Sequence, residues 1–147
     1  MKRGKAVNLL SNSGAVLDAS ILAQTVVKEE YTELALRLIG RLESIYAPPL
    51  ILYEIGNALV TLVRRGFITK GDALRKFKSL TAIPTLNIKE PTLDKAIEIA
   101  VELQITLYDA SYLALALEIG VPFITADREL YEKGREVAET IHASEMT

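Results

Sequence analysis

The chain has no cysteine and a single histidine, His142. Without cysteine there are no disulfides, no thiolate zinc sites and no cysteine nucleophile. With one histidine, a two-histidine ribonuclease mechanism is excluded, and a serine triad would have to be built on His142 itself. Long apolar runs are also missing. No uncharged stretch is long enough to span a bilayer. The basic N-terminus MKRGKAVNLLSNSG contains only AVNLL as an apolar stretch, too short for a signal peptide. These absences lead us to expect a soluble, cytoplasmic protein with no membrane partner.

What is present fits one globular domain. The 147 residues are 50% hydrophobic and 24% charged. A chain of this length buries about 68–70% of its unfolded surface, enough for a full core. We expect a single domain over residues 1–147, with 1–14 as an N-terminal extension. The net charge of −2 argues neither for nor against nucleic acid, but its distribution is uneven. From residue 64 to residue 78 there are six basic side chains (Arg64, Arg65, Lys70, Arg75, Lys76, Lys78) against one acid, Asp72. Either a solvated helix pair or a phosphate-contacting patch accounts for this, with Arg64, Arg65, Arg75 and Lys76 as candidate phosphate contacts.

Strand and helix signals alternate along the chain. Ala15–Val16–Leu17 predicts a strand closed by Asp18, with Ser20 as the cap of a helix over 21–27. Leu34, Leu38 and Leu42 form a helical row over 31–43. Residues 44–47 predict a strand, Pro48 and Pro49 punctuate, and 50–63 predicts a helix apolar on all sides except Glu54 and Asn57. A further helix follows over 69–80 and a strand over 86–88. The 91–103 helix is expected to turn Leu93, Ala96, Ile97 and Ala100 inward. The 108–119 helix is apolar around nearly its whole circumference. A strand over 123–125, a helix over 128–138 and an edge strand over 140–142 complete the pattern. Such alternation argues for a parallel sheet covered on both faces.

In sheets of this kind, sites form at the carboxyl ends of the strands. Asp18 and Asp127 fall there, and Asp109 opens the apolar 108–119 helix. Each has a structural explanation: Asp127 as a helix cap, Asp109 in a first turn behind Thr106, and Asp18 in an Asx-turn. Glu54 is harder to explain in this way. An unpaired carboxylate on a buried helix costs several kcal/mol, and no arginine or lysine lies within a turn of it. Asn57 is its polar neighbour one turn on. Four carboxylates converging without basic partners repel one another unless a hard divalent cation joins them. Mg²⁺ or Mn²⁺, as one ion or two, suits an all-oxygen donor set.

VLDAS (16–20), YEIGNAL (53–59), TLYDASYLALA (106–116) and ITADREL (124–130), in this order, closely resemble the PIN domain, specifically the VapC-type toxin ribonucleases. The resemblance implies a three-layer α/β sandwich around a parallel sheet of about five strands in the order 3-2-1-4-5. It also implies a metal-dependent endoribonuclease whose acidic quartet is Asp18, Glu54, Asp109 and Asp127, serving as both catalytic groups and metal ligands. Ser20 and Thr125 match assisting hydroxyl positions. It implies RNA as substrate, a small antitoxin as partner, and a homodimer. The rival is a PIN-like module that binds RNA or protein without catalysis. A haloacid-dehalogenase-type phosphatase needs a second aspartate where Ser20 stands. A receiver domain needs an acid pair near the first strand and a late strand-end lysine, and both are absent.

Overall fold

A computed structural model describes residues 14–146. Apart from Gly14, the expected N-terminal extension over 1–14 therefore lies outside the described residues. Five three-residue strands, β1 (Ala15–Leu17), β2 (Ile45–Ala47), β3 (Leu86–Ile88), β4 (Phe123–Thr125) and β5 (Thr140–His142), form one sheet in the order β3-β2-β1-β4-β5. Every neighbouring pair is parallel, with Val16 opposite both Tyr46 and Phe123, and Thr125 opposite His142. The chain runs β1, β2, β3 toward one edge and then returns to the other side of β1 with β4 and β5. The order thus reverses between β1 and β4, which is where open α/β sheets leave a crevice.

Among the described residues, seven α-helices connect and cover the strands: α1 (Ala19–Leu22), α2 (Thr32–Arg41), α3 (Leu50–Arg64), α4 (Lys70–Thr81), α5 (Leu93–Leu103), α6 (Leu107–Ile119) and α7 (Arg128–Gly134). A 3₁₀ turn, Ala23–Thr25, continues α1. Ala15, Val16 and Leu17 are all fully buried. Successive strand side chains point to opposite faces, so both faces of the sheet centre are covered and the fold has three layers. Among the described residues no helix is long and apolar enough to cross a membrane.

Local signals explain most element ends. Thr69 and Asp72 close a reciprocal capping box at the start of α4, each side chain bonded to the other's backbone N–H. The Thr106 hydroxyl caps α6 by accepting from the Asp109 N–H at 3.1 Å. Gly120, at φ +78°, ends that helix in the left-handed conformation that glycine adopts without a Cβ penalty.

Four expectations need correction. Ser20 does not cap a helix over 21–27: α1 begins at Ala19, and the Ser20 hydroxyl turns instead to Asp18 and β4. The inward face of α5 is Ala96, Ile99 and Leu103, whereas Leu93 (47% exposed) and Ile97 (51%) face out. Seven of its eleven residues are apolar, so periodicity alone leaves the rotation open, and packing on α6 decides it. The helix α3 is not buried all round: Tyr53, Glu54, Asn57 and Val60 lie on its exposed side. The last helix is shorter than 128–138, ending at Gly134. By contrast, Ala110 through Ala116 of α6 are all buried, as its apolar circumference predicts.

Candidate active site

The β1–β4 crevice is organised around Asp18. The residue directly follows β1 and is 5% exposed. Its Oδ1 accepts the Ser20 hydroxyl at 2.5 Å, and its Oδ2 accepts the Thr125 hydroxyl at 2.6 Å. Ser20 and Thr125 stand 3.3 Å apart and hold the turn after β4: Ser20 Oγ accepts the Ala126 N–H at 2.8 Å, and Thr125 Oγ1 accepts the Asp127 N–H at 3.0 Å. Two hydroxyls thereby fix the carboxylate at the end of one strand to the loop at the end of its neighbour. Desolvation raises the Asp18 carboxyl to about 7; the two hydroxyls oppose that rise, and the charges of Glu54 and Asp127 add to it.

The other three acids surround this anchor. Glu54, in the second turn of α3, is open to solvent on one side, not buried as the apolar helix suggested. Its Oε1 accepts the Tyr112 hydroxyl at 2.5 Å. Partial burial raises its carboxyl, Tyr112 opposes the rise, and the charge of Asp109 adds to it. Asp109, in the first turn of α6, is raised by desolvation and then by the Asp127 charge. Asp127 is the cap of α7, accepting the Leu130 N–H at 3.1 Å. Asp109 and Asp127 line a cleft of about 320 Å³ with Thr106 and Glu129. The capping and site readings are therefore compatible for Asp127, since one carboxylate oxygen caps and the other remains.

All four acids of the expected quartet thus lie in one electrostatically coupled region, and among the described residues none is ion-paired to a lysine, arginine or histidine. Among the described residues, no three acidic or histidine side chains close into a ready-made metal cluster. The donor set is nevertheless all hard oxygen and its mutual repulsion is uncompensated. An all-oxygen carboxylate set of this kind suits a hard divalent cation such as Mg²⁺ or Mn²⁺.

Sequence reasoning missed four contributors. Tyr112 lies three residues after Asp109, and its hydroxyl within the buried stretch Ala110–Ala116 was the available signal. Thr106 was placed only as a residue ahead of Asp109. Glu129 lines the cleft, although it also pairs with Lys133 at 3.3 Å. His142 packs edge-on against Tyr31 and Tyr131. Its Nδ1 accepts the Ser144 N–H at 3.0 Å, so Nε2 carries the proton and donates to the Ala126 carbonyl at 3.2 Å, bracing the same turn.

Two sets of expected residues sit elsewhere. Asn57 lines an apolar groove between α3 and α4 with Phe77 and Leu74, and bonds to none of the acids among the described residues. Within the basic patch, Arg75 is held by Asp72 at 2.6 Å, and Lys76 Nζ donates to the Val26 carbonyl at 2.9 Å, tying α4 to the loop after the 3₁₀ turn. Arg64 and Arg65 are exposed.

Known proteins are similar to this chain in sequence and in fold. The PIN domain family model matches residues 15–136. Ribonuclease VapC3 of Pyrobaculum aerophilum is 34% identical over 122 residues, covering 80% of this chain and 92% of the relative. Exonuclease VapC9 of the same organism is 38% identical over 84 residues, 57% of this chain and 62% of the relative. The crystal structure of PAE2754 from Pyrobaculum aerophilum superposes with a TM-score of 0.68 at 30% identity, covering 90% of this chain and 92% of the other. With the family model spanning most of the chain and the acidic crevice formed by its matched segments, the chain belongs to the PIN domain family, on its VapC branch.

Proposed function

We propose that this protein is a metal-dependent endoribonuclease, acting as the toxin of a toxin–antitoxin pair. The observation that carries the reading is the fixation of Asp18 by Ser20 and Thr125 across the β1–β4 crevice, inside the fields of Glu54 and Asp127. Asp18, Glu54, Asp109 and Asp127 would hold Mg²⁺ or Mn²⁺, as one ion or two. A bound ion of this kind supplies a water of lowered pKa and positive charge for the phosphate and the leaving oxygen. The protein's part is positional. Ser20 and Thr125 keep the Asp18 carboxylate in one rotamer, Tyr112 keeps Glu54 turned to the crevice, and Asp127 is steadied by its cap on α7. No histidine base is needed, in keeping with a chain whose only histidine is committed to bracing a turn.

The test is cleavage of a labelled single-stranded RNA with and without chelator, beside Asp18→Asn. Cleavage that requires Mg²⁺ or Mn²⁺ and falls at least 100-fold in the variant supports the reading. Capping of internal fragments separates endonucleolytic from stepwise terminal cutting. RNA binding without cleavage at any divalent concentration would favour the non-catalytic module.

The same reading brings a small antitoxin that covers the crevice, and a homodimer. Exposed apolar side chains support the dimer, rather than α6, which the core buries: Tyr53 (81% exposed) on α3, and Leu93, Ile97 and Val101 (74%) on α5. Light scattering at micromolar concentration should give twice the 16.2 kDa chain mass, and a single species of chain mass would count against it. The cytoplasm is the compartment this reading implies.

A further inference from the structure

We propose that Arg128 binds a backbone phosphate of the RNA strand at the rim of the acidic crevice. The inference rests on RNA being the substrate. Arg128 opens α7 directly after Asp127 and is exposed. Its guanidinium lies 5.5 Å from the centroid of the Tyr131 ring, and its Nη2 stands 3.4 Å from both His142 Nδ1 and Ser144 Oγ. These neighbours are neutral acceptors and an aromatic face. Among the described residues no carboxylate pairs with Arg128, whereas the nearby Lys133 and Arg135 are engaged by Glu129 and Glu132.

An arginine offers five donors in a planar fork matched to a phosphate. Here that fork is held by a cation–π contact with Tyr131 and two long polar contacts, with most of its donors uncommitted. Much of the ordering that phosphate binding requires is therefore already done. The position adds a reason. A polyanion approaching an acid-lined crevice is repelled, and a cation held against the His142 ring, which braces the turn after β4, offsets that repulsion and sets where the strand enters. The competing role is purely structural: Arg128 as a lid over Tyr131.

The experiment measures binding of a labelled single-stranded RNA over a salt series in chelator, and cleavage kinetics with divalent metal, for wild type, Arg128→Ala, Arg128→Gln, Arg128→Lys and Arg135→Ala. One lost phosphate contact lowers the log–log salt slope by about 0.7 on a single strand. Arg128→Ala and Arg128→Gln should both show that loss and a raised KM with kcat little changed. Arg128→Lys should recover the slope, and Arg135→Ala should keep it. If the alanine variant fails to fold, the glutamine variant, which retains much of the stem over Tyr131, decides. An unchanged slope in a folded Arg128→Gln variant, or no measurable RNA binding by wild type, overturns the proposal. A reduced slope in a protein that cleaves no RNA would leave the phosphate contact standing and remove the ribonuclease reading instead.

Discussion

The Tyr112 hydroxyl donates to Glu54 Oε1 at 2.5 Å, joining α6 to α3 across 58 positions of sequence. Tyr112 is 1% exposed and stacks on Phe123 of β4 at 5.9 Å, so its ring is fixed by the core before its hydroxyl reaches the crevice. Desolvation and the neighbouring carboxylates push its own ionisation upward, which keeps it a donor at every working pH. A rigid core side chain thereby sets the direction of a carboxylate on a solvent-facing helix surface.

Tyr112→Phe should therefore spare the fold and impair the site. A hydrogen bond to a charged group contributes roughly 1.5–3 kcal/mol, and about 1.4 kcal/mol is a factor of ten. We expect cleavage to fall about 10- to 100-fold, metal affinity to weaken, and the fold to be retained with a melting temperature lowered by a few degrees. Metal titration by calorimetry beside the RNA assay checks this. Wild-type values for both would make Tyr112 a packing residue only.

The pH dependence of stability follows from Asp18. Its carboxyl sits at about 7 in the folded chain, against 3.8 as the ordinary value. Between those values the folded state binds more protons than the unfolded, so stability falls as pH rises through that window and levels off above it. Asp18→Asn removes this loss. The metal-free variant should be more stable than wild type at pH 8, by up to roughly 4 kcal/mol, with the gain shrinking toward pH 4. Added Mg²⁺ should raise wild-type melting and leave the variant unmoved. Melting curves across pH 4–8, with and without metal, measure both effects, and a variant that melts lower than wild type at pH 8 contradicts the account.

Thr125→Val preserves shape at a fully buried position and removes two bonds at once, the donor to Asp18 and the acceptor for the Asp127 N–H. An orphaned buried polar group costs about 1–3 kcal/mol. Stability should fall by that amount. Asp18, relieved of one donor that holds its carboxyl down, should require higher pH to bind metal. Denaturant titration gives the first quantity, and metal binding at two pH values gives the second.

The basic patch divides into structural and available charges. Arg64 and Arg65 replaced together by alanine should flatten the salt dependence of RNA binding by roughly 0.7 per lost contact on a single strand. Lys76→Ala should instead destabilise the chain, because its Nζ satisfies the Val26 carbonyl. Equal slopes for wild type and the Arg64/Arg65 double variant would leave those charges with solubility alone.

Much of this protein was legible in one dimension. Alternating strand and helix signals, with apolar runs such as 123–125 bounded by Gly120 and Asp127, were enough for a parallel sheet. Parallel strands need covered faces and crossover helices, and that requirement leaves few arrangements. The positions of Asp18, Asp109 and Asp127 at strand ends and a helix start were likewise local facts, because strand and cap boundaries are set by neighbouring residues.

Tertiary structure decided the rest, where partners distant in sequence compete for one group. The Ser20 hydroxyl had a local use as a cap, but the bond to Asp18 and the Ala126 N–H, 106 positions away, took it instead. Helix α5 carries apolar side chains on most of its circumference, so only contact with α6 fixed which of them are buried. Glu54 read as buried because its neighbours are apolar, yet α3 buries only the side that carries Ile51, Ile55 and Leu59. The sequence determines which residues can carry charge and where strands end. Which carboxylate is desolvated, which is held by a hydroxyl and which cation stays unpaired depend on distances that exist only once the sheet has formed.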